Sequence, residues 1–231
     1  MKQPTQKQLG QLEVYEIKNG DDFPYIVLFH GYGANAFDLM PLHQVIATNK
    51  KVNWLFPQGL MDVHLGMGMM GKAWFPIDVE AFERAMMQGE LRDLSRTLPE
   101  GFENARNAAI SMLKALKVPL DKIVIGGFSQ GAMLATDLSL RFKKPPLASL
   151  ILSGTLLDEK NWQKLCEQRA GYKLFQSHGK SDPLLPFQMA QRLHEVFTSA
   201  NLDASFRPFQ GGHEIPQSVV TDVNAFLDDI L

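Results

Sequence analysis

The most specific chemical signal in the sequence is the pentapeptide Gly127-Phe128-Ser129-Gln130-Gly131. It follows the apolar segment 122–126, which predicts a strand, and precedes AMLATDLSLRF (132–142), which predicts a helix. In a strand-to-helix turn, a G-x-S-x-G sequence exposes the serine hydroxyl at the edge of a sheet, because the glycines tolerate the tight backbone. The pattern therefore predicts that Ser129 is a nucleophile. The alternative is a glycine-rich turn with an incidental serine.

A serine hydroxyl is a weak nucleophile, so it needs a histidine base that an acidic residue holds in place. Where G-x-S-x-G occurs in this context, the acid follows the serine and the histidine follows the acid. Asp182 comes after the predicted strand 172–177, and His213 comes after the predicted strand 203–208. Because both residues follow strands at the same edge of the sheet as Ser129, we predict that Asp182 is the acid and His213 the base.

These two assignments have alternatives. His213 could be a solvated loop histidine, and an aspartate before proline, such as Asp182, is also a common turn former. Three other carboxylates could replace Asp182, namely Asp38, Asp62 and Asp78. His178, directly after the strand 172–177, is predicted to be a turn residue rather than the base.

Acyl transfer passes through a tetrahedral oxyanion, which this kind of site stabilises with two backbone N–H groups. The first is expected from Gln130, directly after the nucleophile. The second is expected after the apolar strand 25–29, in the sequence His30-Gly31-Tyr32-Gly33, and we assign it to Tyr32. A glycine-rich hairpin turn is the alternative for this segment.

The elements that must position these residues alternate along the chain. Short apolar segments follow longer helical patterns, which is typical of an α/β fold with a mostly parallel central sheet flanked by helices. The predicted strands are 12–16, 25–29, 52–56, 122–126, 148–152, 172–177 and 203–208. The predicted helices include 100–116, 132–142, 186–200 and 216–230. No linker divides the chain, so residues 1–231 are predicted to form a single domain.

Residues 59–98 interrupt this alternation with a Gly/Met-rich stretch, an aromatic run and a charged helical pattern. Such segments at the carboxyl ends of strands commonly form ligand-binding walls, so we predict a short lid-like excursion over the site. Five of its side chains are predicted to bind the apolar part of a substrate: Met67, Met69, Met70, Trp74 and Phe75. Core packing is the alternative for the methionines and for Trp74.

Composition excludes several function classes. The chain has 231 residues, and 23 basic against 25 acidic residues leave a formal net charge of -2, without the basic excess that nucleic-acid binding requires. No apolar stretch is long enough to span a bilayer, and the N-terminus lacks the apolar segment of a signal peptide, so stable membrane insertion is not expected. The single cysteine, Cys166, favours a reducing, cytoplasmic location.

Two further motifs are incomplete. Residues 66–72 resemble a nucleotide-binding loop, but Ala73 stands where a P-loop needs Ser or Thr. His213-Glu214 begins an H-E-x-x-H zinc motif, but Gln217 occupies the second ligand position. We therefore predict no cofactor and no metal.

Five segments, in order along nearly the whole chain, resemble the phospholipase/carboxylesterase branch of the α/β-hydrolases, which includes acyl-protein thioesterases. They are FHGYGANAFDLMPL (29–42), GKAWFPID (71–78), GFSQGAMLATDLSL (127–140), HGKSDPLLP (178–186) and GGHEIP (211–216). The resemblance implies an α/β-hydrolase fold, Ser129, Asp182 and His213 as a triad, and the same two backbone donors. It is compatible with a homodimer. Ala34 departs from the acidic residue of the HGLGD form of eukaryotic depalmitoylases, so the motifs look closer to bacterial carboxylesterases.

The sequence thus predicts a serine esterase that hydrolyses small carboxylic esters of short-to-medium acyl chains through an acyl-enzyme intermediate. A lysophospholipase or an acyl-protein thioesterase with the same triad is the first alternative. A non-catalytic ligand-binding protein is the second.

Overall fold

A mostly parallel sheet forms the centre of the molecule. The structure is a computed structural model and describes residues 2–66, 68–78 and 94–231. The central sheet contains β1 (Thr5–Leu9), β2 (Leu12–Ile17), β3 (Tyr25–Phe29), β4 (Asn53–Pro57), β7 (Ile123–Phe128), β8 (Ala148–Leu152), β9 (Lys173–Gly179) and β10 (Asp203–Phe209). A separate hairpin contains β5 (Met61–His64) and β6 (Met70–Ala73). The helices within the described residues are α1 (Leu42–Val45), α2 (Phe102–Leu116), α3 (Gln130–Arg141), α4 (Glu159–Cys166), α5 (Phe187–Ser199) and α6 (Gln217–Ile230), with a 3₁₀ turn at Leu120–Lys122.

The strand order places the predicted site at one edge of the sheet. The order is β1-β2-β4-β3-β7-β8-β9-β10. β2 pairs antiparallel with both β1 and β4, whereas the other neighbours are parallel. The carboxyl ends of β3, β7, β9 and β10 therefore lie along one edge, and the loops that follow them carry the candidate residues. Binding sites of open α/β sheets lie at this edge.

Strand β3 illustrates why the sheet is buried on both faces. Its five residues are apolar and all buried. Side chains alternate along a strand, so Tyr25, Val27 and Phe29 join the core cluster beneath α2 to α5, while Ile26 and Leu28 join the cluster beneath α6. A strand without polar alternation is typical of a parallel sheet that helices cover on both sides.

A buried carboxylate ties three of the helices together. Asp137, on α3, is fully buried and accepts hydrogen bonds from Arg106 Nε on α2 at 2.6 Å and from Trp162 Nε1 on α4 at 3.0 Å. Arg141, one turn further along α3, adds a third donor at 2.8 Å. A buried charge needs such compensation, so Asp137 fixes the positions of α2 and α4 relative to α3.

The predicted α/β class and mostly parallel sheet are confirmed. Each predicted strand and helix ends within two residues of its observed counterpart. Strand β1 is missing from the prediction because its sequence, TQKQL, is polar and mostly exposed, so it lacks the apolar alternation of a half-buried strand. It is an edge strand that forms by pairing with β2.

The predicted excursion at 59–98 is only partly described. Residues 61–73 contain the β5–β6 hairpin, which lies outside the central sheet. Backbone hydrogen bonds join this hairpin to the turn after β3, from Gly33 N to Lys72 O at 2.9 Å and from Lys72 N to Ala34 O at 2.7 Å. Residue 67 and residues 79–93, where the charged helical pattern was predicted, lie outside the described residues.

Candidate active site

Ser129 lies in a sharp turn between β7 and α3. Its backbone has φ 54° and ψ -119°, a conformation that residues with a Cβ rarely adopt. The flanking glycines make this turn possible. A Cβ on Gly127 would lie 2.5 Å from Gly131 C, and a Cβ on Gly131 would collide with the carbonyl oxygen of Phe29. The Ser129 N–H donates to Leu152 O at 2.9 Å, which fixes the turn against β8.

Asp182 and His213 lie on the loops after β9 and β10 and contact each other. His213 Nδ1 lies 2.7 Å from Asp182 Oδ2, and because a carboxylate only accepts, Nδ1 carries the hydrogen. Asp182 Oδ1 accepts the backbone N–H groups of Leu184 at 2.8 Å and Leu185 at 2.9 Å. The His213 ring also packs on Phe128, directly before Ser129, with ring centroids 4.7 Å apart.

The environment of Asp182 keeps its carboxyl group ionised. Burial by itself would raise its pKa, but the hydrogen bond and charge of His213, together with the N–H donors of Leu185 and Leu184, outweigh burial and lower the pKa below 3.8. Asp182 therefore carries its negative charge wherever His213 is to act as a base.

The loops that carry Asp182 and His213 are packed backbone against backbone. Ser181 N donates to Gly211 O at 3.0 Å, and a Cβ on Gly179 would collide with the carbonyl oxygen of Gly212. Ser153, buried directly after β8, donates its hydroxyl to Glu214 O at 3.4 Å, next to His213. These contacts fix the two loops against each other, so they also fix the distance between Asp182 and His213.

The turn after β3 lies against the turn that carries Ser129. A Cβ on Gly31 would meet the Ser129 Cβ at 3.4 Å. The hydrogen bonds that fix this turn start from Gly33 N and Ala34 N, and those that start α3 run from Ala132 N and Met133 N to Ser129 O. Neither set uses the N–H of Tyr32 or Gln130, the two predicted oxyanion donors.

The side chain of Gln130 has a role that the sequence analysis missed. It is fully buried, and its Oε1 accepts from Trp74 N at 2.9 Å while its Nε2 donates to Phe75 O at 2.7 Å. Trp74 in turn donates its Nε1–H to His30 O at 2.8 Å. The segment at 74–75 is thereby fixed between the two turns that carry the predicted oxyanion donors.

His30 supports the turn after β3 as a neutral imidazole. Its Nδ1 donates to Gly31 O at 2.7 Å, so its Nε2 is free to accept the N–H of Gly59 at 3.0 Å. Burial lowers the pKa of His30 to about 4, from an ordinary value of 6.5. A charged His30 could not accept from Gly59, so the geometry and the lowered pKa agree.

A cavity of about 990 Å³ opens beside Ser129 and His213. Tyr32 and Gln130 also line it, and its apolar wall includes Phe75, Ile77, Leu94, Met133, Leu184 and Leu185. Met133 lies four residues after Ser129, one turn along α3, so a helical reading of the segment could have found it. The cavity is large enough for an extended acyl chain, which would contact this apolar wall.

Of the four predicted substrate-binding residues that the structure describes, one lies in this cavity. Phe75 lines it. Trp74 is a core residue instead, fully buried and packed on Phe29 with ring centroids 5.1 Å apart. Met69 and Met70 are about half exposed on the hairpin and are not among the described lining residues, because the hairpin contacts the site through its backbone. Met67 lies outside the described residues.

The other candidate carboxylates have different positions. Asp38 and Asp78 line the cavity, and Asp62 pairs with Lys72 on the hairpin at 2.9 Å. His178 lies within β9 and is fully buried rather than in a turn, and its ring nitrogen Nε2 lies 3.3 Å from Asp182 Oδ2. Within residues 2–66, 68–78 and 94–231, no three His, Cys, Asp or Glu side chains are grouped so that they could hold a metal ion. None of the helices in those ranges has the length and hydrophobicity that crossing a bilayer requires.

Comparison with known proteins gives a consistent result. The family model described as Phospholipase/Carboxylesterase matches residues 12–231. Acyl-protein thioesterase 1 of Debaryomyces hansenii is 27% identical over 222 residues, which cover 89% of this chain and 90% of that protein.

Two solved structures are also similar along most of the chain. The crystal structure of esterase PE8 has a TM-score of 0.74 and 26% identity, covering 90% of this chain and 93% of that chain. A carboxylesterase from Mesorhizobium loti has a TM-score of 0.73 and 18% identity, covering 98% of this chain and 99% of that chain, and this likeness concerns the fold. The chain therefore belongs to the phospholipase/carboxylesterase family, has the α/β-hydrolase fold, and is a serine hydrolase that acts on ester bonds.

Proposed function

We propose that the protein is an esterase for carboxylic esters of short-to-medium acyl chains, with Ser129 as nucleophile, His213 as base and Asp182 as acid. The observation that supports this most directly is the 2.7 Å hydrogen bond between His213 Nδ1 and Asp182 Oδ2, on loops that bring His213 to the same cavity as Ser129. That bond leaves Nε2 of His213 without a hydrogen and available to accept the Ser129 proton.

The reaction then has two halves. His213 Nε2 takes the proton of the Ser129 hydroxyl while Oγ bonds to the ester carbonyl carbon, and the backbone N–H groups of Tyr32 and Gln130 stabilise the oxyanion. His213 returns the proton to the departing alkoxide, which leaves as an alcohol and an acyl-enzyme remains. Water attacks this acyl group with His213 again as base, which releases a carboxylic acid and restores Ser129.

Asp182 orients His213 and stabilises its charge during both halves of the reaction. When His213 takes up the proton it becomes an imidazolium, and the adjacent carboxylate stabilises that charge. Asp182 also fixes which ring nitrogen is protonated in the resting state. The lowered pKa of Asp182 supports this role, because the acid must stay ionised for it.

The Ser129→Ala variant tests the assignment of the nucleophile. We expect its kcat/KM for a p-nitrophenyl ester to fall by at least about 10³-fold, because the nucleophile is missing. Ser218→Ala, at an exposed position on α6, is the matched control and should keep full activity. A fluorophosphonate reagent should modify wild-type enzyme at one serine and leave Ser129→Ala unmodified. Undiminished turnover in Ser129→Ala would refute the assignment.

The leaving group is decided by a substrate panel. Oxygen esters from acetyl to dodecanoyl, matched thioesters and lysophospholipids should be compared by kcat/KM with wild-type enzyme. Highest values for the shorter oxygen esters would support the proposal. A preference for thioesters would instead favour a thioesterase, the activity named in the Debaryomyces hansenii relative, and turnover of none of them would favour a binding protein.

We further propose a cytoplasmic location. The only cysteine, Cys166, is buried and unpaired, and burial raises its pKa to about 12, so the fold does not depend on a disulfide. Cell fractionation with an antibody against the protein tests this, and recovery from a secreted fraction would contradict it.

A further inference from the structure

His178 is a buried histidine that the proposed mechanism does not use. It lies on β9, four residues before Asp182, and its side chain is fully buried. It is not among the described residues that line the cavity, so it does not reach substrate. Its ring lies beside that of Phe187, with centroids 6.3 Å apart.

One ring nitrogen of His178 faces two oxygen atoms of the acid loop. Nε2 lies 2.8 Å from Leu185 O and 3.3 Å from Asp182 Oδ2. Since carbonyl and carboxylate oxygens only accept, this nitrogen carries the hydrogen and donates to Leu185 O. The partial positive charge of the same N–H group also lies near the carboxylate, with Nε2 3.3 Å from Oδ2.

Leu185 is therefore held from both sides. Its carbonyl accepts from His178, while its N–H donates to Asp182 Oδ1 at 2.9 Å. Oδ2 of Asp182 lies between two imidazole nitrogens, Nδ1 of His213 at 2.7 Å and Nε2 of His178 at 3.3 Å. The carboxylate cannot rotate without losing contacts on both oxygens.

We propose that His178 is a positioning residue for the proposed triad, which fixes the loop 182–185 and turns Oδ2 of Asp182 toward His213. The proposal rests on the proposed function, because it acts through Asp182 on the base. The neutral ring already carries the Nε2–H donor, and burial, the largest influence, lowers the pKa of His178 below its ordinary value despite the opposing effects of Leu185 O and Asp182.

A pair of amide variants separates positioning from polarity. The side-chain nitrogen of Gln can occupy the place of Nε2, whereas that of Asn is too short and occupies the place of Nδ1. We expect His178→Gln to keep kcat within a few-fold of wild type. We expect His178→Asn, and also His178→Phe, which has a ring but no donor, to lose about 10²-fold in kcat with little change in KM, because a slightly misplaced base slows chemistry rather than binding.

A spectroscopic readout reports the geometry directly. The proton on His213 Nδ1, in its hydrogen bond to Asp182, should give a low-field NMR signal in wild type and in His178→Gln. The same signal should shift or broaden in His178→Asn. The control is His194→Phe, a half-buried histidine on α5 that stacks on Phe206 with centroids 5.1 Å apart, and it should leave kcat and this signal unchanged.

The outcomes separate this inference from the proposed function. If Ser129→Ala is inactive but His178→Asn keeps full kcat, the positioning role is refuted and the triad stands. Equal losses of kcat in the Gln and Asn variants would also refute it, since His178 would then matter only for packing. If His178→Phe does not fold, the Gln and Asn pair still decides. If Ser129→Ala remains active, the proposed function itself fails.

Discussion

At Ser129 the backbone is held in a conformation that costs of the order of 1–3 kcal/mol for a residue with a side chain. Three features of its surroundings hold it there: the absence of a Cβ on Gly127 and on Gly131, and the hydrogen bond from its own N–H to Leu152 O. His30 holds the facing turn, the one after β3, because its ring forms hydrogen bonds with both Gly31 O and the N–H of Gly59. The backbone conformation at Ser129 and the hydrogen bonds of His30 therefore fix the shapes of the two turns that face each other.

The pKa of His30 makes folding stability depend on pH. Because this pKa is about 4 in the folded protein and 6.5 ordinarily, the unfolded chain takes up the proton first as the pH falls. The stabilisation by neutral His30 is complete above about pH 6.5 and is lost as the pH falls toward 4. From pH 7 to pH 5 this should remove about 2 kcal/mol from the free energy of unfolding.

The matched variant for this prediction is His30→Gln, which does not titrate. Urea unfolding at pH 7 and pH 5 should give a pH-dependent loss that is smaller in the variant than in wild type by about 2 kcal/mol. If both proteins lose the same amount, His30 is not the group responsible.

Residue types and strand ends were enough to bring Ser129, Asp182 and His213, the proposed triad, to one edge of the sheet, because each follows a strand whose carboxyl end lies there. They were not enough for the side chains of Gln130, His30 and His178. The partners of these side chains come from segments far away in the sequence, such as Trp74 for Gln130 and Gly59 for His30. Their roles depend on burial and on the distances to these partners, and neither can be read from a local sequence pattern.

Among the elements, α3 connects the site to the rest of the fold. Its first turn carries Gln130, and its second carries Met133 in the wall of the cavity. Its third turn carries Asp137, which binds Arg106 on α2 and Trp162 on α4. One helix therefore transmits the position of two others to the Ser129 turn.

Removing the charge of Asp137 should destabilise this arrangement. In Asp137→Asn two arginines lose their buried carboxylate, and Arg106 keeps the exposed Glu103 at 3.5 Å, so we expect a loss of about 3 kcal/mol in the free energy of unfolding. Asp222→Asn is the control. Asp222 pairs with the exposed Arg207, 3.4 Å away, and such a surface pair contributes at most about 1 kcal/mol. Urea unfolding measures both, and equal losses in the two variants would contradict the prediction.

Long apolar elements were easier to predict than polar ones. The segment 25–29 is apolar throughout and was found with its observed bounds, because a strand buried on both faces has a strong signal. β1 is mostly exposed and the strands of the β5–β6 hairpin are about half exposed, and they exist because a partner strand completes their backbone hydrogen bonds. Helix α4 has a weaker apolar signal, because it buries only Trp162 and Cys166.

On the scale of the whole molecule, the cavity is assembled from segments that span residues 31 to 213. Turns at the carboxyl edge of the sheet supply its polar side, and residues 75–77, residue 94, α3 and the loop 182–185 supply its apolar side. The Gly/Met-rich stretch suggested a different wall, since its methionines are conspicuous in the sequence. In the described part of the fold, Met69 and Met70 are about half exposed and are not among the residues that line the cavity, whereas Met133 lines it.

Shortening Met133 should therefore change the acyl-length preference. We expect Met133→Ala to raise the ratio of kcat/KM for octanoyl over butyryl p-nitrophenyl esters by about 10-fold, because the removed atoms leave room for a longer chain. Met70→Ala, on the exposed hairpin, should leave this ratio unchanged. A shifted ratio in Met70→Ala with none in Met133→Ala would place the acyl chain along the hairpin instead.

The close backbone contacts at the two turns have a consequence for protein engineering. The proposed oxyanion donors are main-chain N–H groups. Close backbone contacts, such as that of Gly131 with the carbonyl oxygen of Phe29, fix the positions of these groups. The wall of the cavity, in contrast, consists of side chains. Reactivity and selectivity therefore depend on different atoms, and a library that varies Met133 and Leu184 can search new substrates while the reactive geometry is inherited unchanged.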